Sequence, residues 1–449
     1  MKRKIYSKLL DWKQRRKGEV AILIDGPRRV GKSYIAQTFG QNEYKSYILI
    51  DFSDDDPQVR QIFDNYLNDL DMLFSSLQLH YHTTLYKRES LIIFDEIQFY
   101  PKARAAIKRL VADRRYDYIE TGSLVSINKN VKDILIPSEE HHIDMNPMDF
   151  EEFLWAMGNE MLMPHIQECF EKKQALGPIH RQAMEYFRQY LIVGGMPQAV
   201  LKYAENRNFM EVDEVKREIL KLYRADISKY ATGYESKVTS IFDQIPAALQ
   251  RHEKKFHLSD IKSTARFRDY ESSFFWLQES RVVNICYAAT EPSIGLRMKM
   301  DGMALKCYMA DTGLLISHAF DENGIMQEDI YQKLLLDKLE VNKGMLVENI
   351  VAQMLHASEH QLYFFSNYSL TDRNERMEID FLIRKPSITS RHNISPIEVK
   401  SGNGYSLASL TKYIQKYGEQ LSTPYVLHSS DLIEKDGICY LPLYMTPLL

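Results

Sequence analysis

Short, mainly apolar runs alternate along the first third of the chain with stretches whose apolar residues recur every three or four positions. The runs are Val20 to Ile24, Tyr47 to Phe52, Leu91 to Phe94 and Tyr116 to Ile119, the length and continuity of strands buried on both faces. Between them Tyr34 to Phe39 and Gln58 to Phe74 carry helical spacing. Strands alternating with helices predict a parallel sheet whose functional groups gather at the carboxyl ends of the strands. Ile5, Leu9, Leu10 and Trp12 fit one face of a helix, so the basic amino terminus, Met1 to Lys17, reads as a packing helix.

From Glu160 to Arg217 the pattern is mostly helical, interrupted by Gly194-Gly195-Met196-Pro197, which predicts a tight bend between helices. Leu220 to Tyr230 continues as a helix carrying Arg224 and Lys229. Between Lys237 and Leu315 the order is helix, a short helix opened by His257 to Ile261, a helix over Tyr270 to Ser280, then strands over Val282 to Ala288 and Ala304 to Met309. This order suggests a winged helix, with Ser259 capping its short helix and Leu258 as the flanking apolar contact. A helix from near Gly344, strands over Met377 to Ile383 and Pro396 to Lys400, and a helix over Ser406 to Tyr417 follow. The expectation is an α/β protein in four parts: a parallel-sheet core over 1–155, a helical region over 156–235, a winged-helix-like domain over 236–335 and a carboxy-terminal α/β domain over 336–449.

Composition narrows the class of protein. At 449 residues the chain is too long for one core, and ~150 residues per domain suggests about three. The 57 Lys plus Arg nearly balance 61 Asp plus Glu, so any nucleic-acid contact must come from local patches. No apolar run approaches the ~18 residues that span a bilayer, and the amino terminus lacks the apolar centre of a secretory signal. Cys169, Cys286, Cys307 and Cys439 lie far apart, as expected of reduced core thiols in a cytoplasmic protein.

Chemistry enters at Gly26, Pro27, Arg28, Arg29, Val30, Gly31, Lys32 and Ser33, a phosphate-loop pattern in its strand, loop and helix context. Gly26 and Gly31 allow a backbone that points successive N–H groups at a triphosphate, and the next helix adds its unpaired N–H groups. Lys32 is expected to reach the β- and γ-phosphates of ATP, and Ser33 to give its hydroxyl to Mg²⁺. Asp95 and Glu96 end the third buried run. Asp95 is expected to hold Mg²⁺ through water, and Glu96 to polarise the water that attacks during hydrolysis. Thr121 or Ser123, after the next strand, is a candidate γ-phosphate sensor, although Gly122-Ser123 is also plain turn chemistry.

Four segments carry a resemblance: Gly26 to Ser33, Phe94-Asp95-Glu96-Ile97-Gln98, Thr121-Gly122-Ser123, and Pro147-Met148-Asp149-Phe150-Glu151-Glu152-Phe153-Leu154. Together they resemble the bacterial and archaeal AAA-type ATPases that carry a conserved carboxyl-terminal domain of uncertain function. The resemblance implies ATP binding and hydrolysis on a core with an extra strand between the two nucleotide motifs. Gly194 to Pro197 and Cys307 to Gly313 also resemble motifs of that family. Where many members place Gly-Arg shortly before the proline at Pro147, this chain has Ser138-Glu139-Glu140, so no arginine finger is named. In a homo-oligomer Arg224 or Lys229 could reach a neighbouring subunit's nucleotide; a solvated helical face is the alternative.

Glu348, Asp380, Glu398 and Lys400 form a second constellation. The order Glu, Asp, Glu-x-Lys resembles the restriction-endonuclease-like nuclease superfamily. Residues two apart on a strand share a face, so Glu398 and Lys400 are expected to point together with Val399 in the core. Asp380 and Glu398 would hold Mg²⁺ with Glu348 as third acidic neighbour, and Lys400 would activate water against a phosphodiester. A surface ion pair is the plain alternative for Glu398 and Lys400. Gln415 is placed near the site. Arg251, Lys254, Lys255, Lys262, Arg266 and Arg268 make the winged-helix region locally basic, a candidate contact for DNA or RNA phosphates. Two readings stay open: an ATP-driven nucleic-acid enzyme with a Mg²⁺-dependent nuclease domain, or a nucleotide-dependent switch whose nuclease-like domain binds a partner without cutting.

Overall fold

The computed structural model describes residues 1–54, 56–122, 139–251, 254–293, 295–320, 328–336, 338, 343–367, 375–385, 393–402 and 404–449. They fall into two compact units, Met1–Asn146 and Pro147–Leu449.

In the first unit the elements run α1 (Ile5–Arg16), β1 (Ala21–Asp25), α2 (Lys32–Glu43), β2 (Ser46–Asp51), α3 (Pro57–Tyr66), α4 (Leu70–His80), β3 (Ser90–Asp95), α5 (Pro101–Asp113), β4 (Asp117–Gly122) and β5 (Glu140–Asp144). The five strands form a parallel sheet in the order β2, β3, β4, β1, β5. Strand β4 therefore lies between the strands bearing the phosphate loop and the acidic pair, which is the inserted strand the resemblance implied. Strands β1, β3 and β4 are buried throughout, the first two along apolar runs and β4 together with the polar Asp117, Glu120 and Thr121. Helix α1 turns Ile5, Leu9 and Trp12 inward, as expected of a packing helix.

The apolar spacing of Gln58 to Phe74 gives two helices instead of one. Asp56 caps α3, accepting from the Gln58 N–H at 2.8 Å, with Pro57 at its first position. Asp69 caps α4, accepting from the Met72 N–H at 3.1 Å. Two capping aspartates outweigh a continuous apolar stripe, because each starts a helix by satisfying otherwise orphaned N–H groups. The resulting pair covers one sheet face with Phe63, which meets Phe52, Phe94 and Tyr100 edge-on. Burying such a ring contributes about 2–3 kcal/mol.

The second unit starts with a helical layer: α6 (Phe150–Ala156), α7 (Leu162–Glu171), α8 (Ile179–Val193), α9 (Pro197–Asn206), α10 (Phe209–Tyr230), α11 (Glu235–Gln250) and α12 (Glu271–Glu279). Then come β6 (Val283–Ala289), β7 (Met300–Met309), α13 (Thr312–Ala319), α14 (Glu328–Leu335), α15 (Lys343–Ala357), β8 (Tyr363–Asn367), β9 (Met377–Arg384), β10 (Ile394–Val399), α16 (Ala408–Tyr417), β11 (Tyr425–His428), β12 (Ile433–Lys435) and β13 (Ile438–Pro442). Eight strands make one mixed sheet in the order β12, β13, β11, β10, β9, β8, β6, β7.

That order changes the picture of the middle region. The β6–β7 hairpin, read from sequence as the wing of a separate module, pairs through β6 in parallel with β8, Tyr287 against Tyr363 and Ala288 against Phe364. A two-stranded hairpin is marginal alone, and joining a larger sheet satisfies one of its edges. The short helix at His257 is a single 3₁₀ turn, Leu258–Asp260, without a side-chain cap, so Ser259 does not fill the capping role expected of it.

Three short motifs interlock in this unit. The Asp311 carboxylate caps α13 through the Leu314 N–H at 2.8 Å and also accepts from the Gly195 N–H at 2.5 Å. Gly194 has φ +80°, and an added Cβ there would lie 2.2 Å from Asp311 Oδ1; a Cβ on Gly195 would lie 2.1 Å from Met148 O. The glycines are thus fixed by close approach of Met148 and Asp311, a packing role.

Candidate functional site

Strand β1 delivers the chain to Asp25, the loop spans Gly26 to Gly31, and α2 opens at Lys32. Arg29 and Gly31 take left-handed conformations, φ +69° and +97°, a course that turns backbone N–H groups into an anion-binding concavity. The base of the loop is fixed: a Cβ on Gly26 would lie 2.3 Å from Met145 O, and the Met145 N–H donates to Asp25 O at 2.7 Å. Val30 is buried, and Arg3 donates to its carbonyl at 2.9 Å. Pro27 is buried while Arg28 and Arg29 are exposed on the outer rim.

Lys32 Nζ donates to Gly26 O at 2.8 Å and Pro27 O at 3.1 Å. The ammonium is spent on backbone carbonyls of its own loop, groups that a more strongly accepting phosphate can replace. Burial pulls the Lys32 pKa down, opposed by Glu96, Asp25 and Asp95. Asp95, at the end of β3, accepts from the Thr121 hydroxyl and from Ser33. Burial pushes its carboxyl up, and those two hydroxyls pull it back. Thr121 Oγ1 also accepts from the Glu96 N–H at 3.2 Å. Glu96 itself has φ +50°, an uncommon conformation for a residue with a side chain and one that clusters at functional sites. Its carboxylate accepts from the Gln98 amide.

The first unit therefore brings together Lys32, Ser33, Asp95, Glu96 and Thr121, while Ser123 lies outside the described residues. Asp25, just beyond the apolar run that ends at Ile24, is a further member of the site: a carboxylate only 1 % exposed that faces the Lys32 charge. Its place immediately before Gly26 was the available signal. Gln98, whose role the motif alone does not reveal, lies against Glu96. A hydroxyl and a carboxylate side by side fit Mg²⁺, whose ligands are oxygens, and the loop with Lys32 fits a polyphosphate.

In the second unit Glu348 comes from α15, Glu378 and Asp380 from β9, and Glu398 from β10, which Lys400 follows. Lys400 Nζ donates to Glu398 Oε2 at 2.9 Å, and Asp380 Oδ2 accepts from the Val399 N–H at 2.8 Å. Burial, then the nearby Asp380, push the Glu398 pKa up to about 8. Glu398 is buried and Val399 half-buried, the reverse of the expected order, because β10 is covered on both faces. Gln415 is exposed on α16.

Two further ammonium groups enter this cluster. Lys306 on β7, fully buried, donates to Glu378 Oε1 at 2.9 Å and Glu348 Oε1 at 3.2 Å, and lies 3.9 Å from Asp380 Oδ1. Lys254 pairs with Glu348 Oε2, and the Tyr308 hydroxyl donates to Glu348 Oε1. Burial pushes the Glu348 carboxyl up, but Lys254 and Lys306 prevail and hold it at about 2. Glu348, expected as a third acidic neighbour of a metal, is thus committed to lysines. Among the described residues no group of three or more His, Cys, Asp and Glu is placed to hold a metal ion. Of the two carboxylates expected to hold Mg²⁺, Asp380 lies 3.9 Å from the Lys306 ammonium and Glu398 2.9 Å from that of Lys400.

The basic stretch is also partly consumed. Besides Lys254, Arg251 pairs with Asp260 and Arg268 lies 3.7 Å from Asp269, while Lys262, Arg266 and Arg268 are exposed. On α10, Arg224 donates to Asp243 Oδ1 at 3.1 Å and approaches His318 Nδ1 at 3.3 Å.

A parallel sheet with an inserted strand, a phosphate loop and an acidic pair define the first unit as a P-loop nucleotide-binding fold. Residues 19–154 match the family model described as an AAA domain, so this segment is a P-loop domain of AAA type. Residues 184–324 and 343–445 match two models described as domains of unknown function (DUF8612 and DUF4143), and a restriction-endonuclease-like assignment gains nothing from either. No curated protein matches the chain. Among solved structures it is similar to a Walker-type ATPase of Pyrococcus abyssi, at 14 % identity over 71 % of this chain and 95 % of that one, TM-score 0.39. It is also similar to the ORC1 protein of Aeropyrum pernix in complex with DNA, at 12 % identity over 72 % and 93 %, TM-score 0.31. Likeness at this level leaves function to the residues. Among the described residues no helix is long and apolar enough to cross a membrane.

Proposed function

We propose that the chain is an ATP-hydrolysing switch whose carboxy-terminal domain binds a partner without cutting it. The observation that carries the first half is the meeting of Lys32, Ser33, Asp95 and Thr121 at the carboxyl ends of β1, β3 and β4. ATP would lie with its phosphates against the Gly26–Ser33 backbone. Mg²⁺ would be held by Ser33 and Asp95, where it supplies charge neutralisation for phosphoryl transfer. Lys32 exchanges its loop carbonyls for phosphate oxygens. Glu96 accepts a proton from the attacking water, held in place by Gln98. Thr121, bonded to Asp95 and to the Glu96 backbone, ties the metal-side carboxylate to the base.

The non-cutting half is supported by the lysines that occupy the carboxylates of the second unit. The alternative, a nuclease built on Asp380, Glu398 and Lys400, has in its favour the 2.9 Å pair of Lys400 and Glu398. One assay separates them. Purified protein is incubated with DNA or RNA, Mg²⁺ and ATP, while phosphate release and strand length are followed together. Phosphate release that is lost in Lys32→Ala, with strands intact, is the expected result. Cleavage abolished by Asp380→Ala and Lys400→Ala would overturn the non-cutting half, and absence of phosphate release would overturn the first.

A further inference from the structure

The strand Ala304-Leu305-Lys306-Cys307-Tyr308-Met309 holds one charge in an apolar run. In register Lys306 stands opposite Cys286 in the middle of the β6–β7 ladder, where its side chain has no route to water and is 0 % exposed. A lysine in such a place needs counter-charges, and Glu348, Glu378 and Asp380 supply them at 3.2, 2.9 and 3.9 Å.

Both oxygens of Glu348, and one each of Glu378, Asp380 and Glu398, already accept hydrogen bonds. Glu348 Oε1 takes hydrogen bonds from Lys306 and Tyr308, and Oε2 takes one from Lys254. Asp380 Oδ2 takes the Val399 N–H, and Glu398 Oε2 takes Lys400. A divalent ion gathers about six oxygens as ligands, and each oxygen already bonded to an ammonium must be released to serve as one. To enter, it must strip those donors and lie against a fixed, buried positive charge.

We infer that Lys306 is a built-in cation that fills the acidic cluster of the second unit and keeps it closed to divalent metal. The inference rests on the non-cutting reading of this unit and gives it a cause: the chain supplies from β7 the positive charge that a metal would bring. Lys306 acts through the carboxylates it neutralises and is a positioning residue. Removing its ammonium while keeping its apolar stem takes the counter-charge from Glu378 and Asp380, with Glu348 still held by Lys254.

The test is titration of the full chain with Mn²⁺ without nucleotide, followed by the electron paramagnetic resonance of free Mn²⁺. Wild type and Asp380→Asn should give the same curve, with no site that depends on Asp380. Lys306→Met should gain one Mn²⁺ per chain, and adding Asp380→Asn should remove it. The inference is overturned if wild type binds a Mn²⁺ that Asp380→Asn abolishes, or if Lys306→Met, folded by circular dichroism, binds none. Should Lys306→Met not fold, Lys306→Gln replaces it, and the comparison of wild type with Asp380→Asn decides without either variant. Strand cleavage by wild type overturns the non-cutting reading. Asp380-dependent Mn²⁺ binding by a wild type that cuts nothing overturns this inference alone.

Discussion

Lys32 and Lys306 are both buried ammonium groups with carboxylates close by, yet they are held in different ways. Lys32 rests on two carbonyls of its own loop, with Asp25, Asp95 and Glu96 acting on it electrostatically. Lys306 is bonded directly to Glu348 and Glu378. Burial lowers the pKa of both, but at Lys306 the three carboxylates prevail and hold it well above the ordinary lysine value. A lysine held by neutral carbonyls is available to a stronger anion. One locked into an ion network is part of the fold. The difference teaches that acidic and basic residues near each other in sequence motifs do not by themselves make a metal site; what already occupies their oxygens decides.

The largest effect that could break this contrast is on stability. Glu348→Gln leaves Lys254 and Lys306 short of a counter-charge in a buried place, and should cost roughly 3–5 kcal/mol in chemical denaturation. Ser33→Ala, at the other site, should change stability little; equal losses for the two would erase the distinction. Next, Glu96→Gln should slow steady-state ATP hydrolysis by roughly 100-fold or more while nucleotide binding persists. Unchanged turnover would remove Glu96 from its role as base.

A third buried lysine sharpens the comparison. Lys216 donates to Ile192 O at 2.9 Å and faces Asp213, Asp311, Arg217 and the Tyr331 ring. Asp213 is already committed to Ser317, Tyr331 and Arg217. Burial prevails here, pulling the Lys216 pKa from 10.5 down to about 8. Between those values the unfolded chain binds more protons than the folded one, so wild-type stability rises with pH across the window. Relative to Lys216→Met, the gain from pH 8 to 10 should be about 2 kcal/mol in urea melts. A gap that stays constant would place the Lys216 pKa elsewhere. The smallest effect belongs to Thr121→Val, which unties Asp95 from the Glu96 backbone and should lower hydrolysis about tenfold, with nucleotide affinity nearly kept.

How much of this was legible in the sequence follows from how local each signal is. The phosphate loop, the acidic pair and the strands around them announce themselves within a few residues, and the structure assembles them as that reading implies. The break at Asp69 was missed because apolar spacing masked a cap. Lys306 was unreadable because one lysine in an apolar strand says nothing of the three carboxylates it meets, which arrive from α15 and β9. The β6–β7 hairpin shows the same limit: its strands were visible, but which sheet they join depends on pairing with β8, some seventy-five residues further along the chain. Asp311 and Gly194 likewise meet only in the folded chain.

The central claim is that the Gly26–Ser33 loop grips a triphosphate through Lys32. Isothermal titration of the full chain with ATP and Mg²⁺, wild type beside Lys32→Ala, tests it most directly. The account predicts one site per chain in the wild type and an affinity lower by roughly 100-fold or more in the variant. Equal affinity in the two proteins, or no heat of binding in the wild type at millimolar ATP, would contradict it.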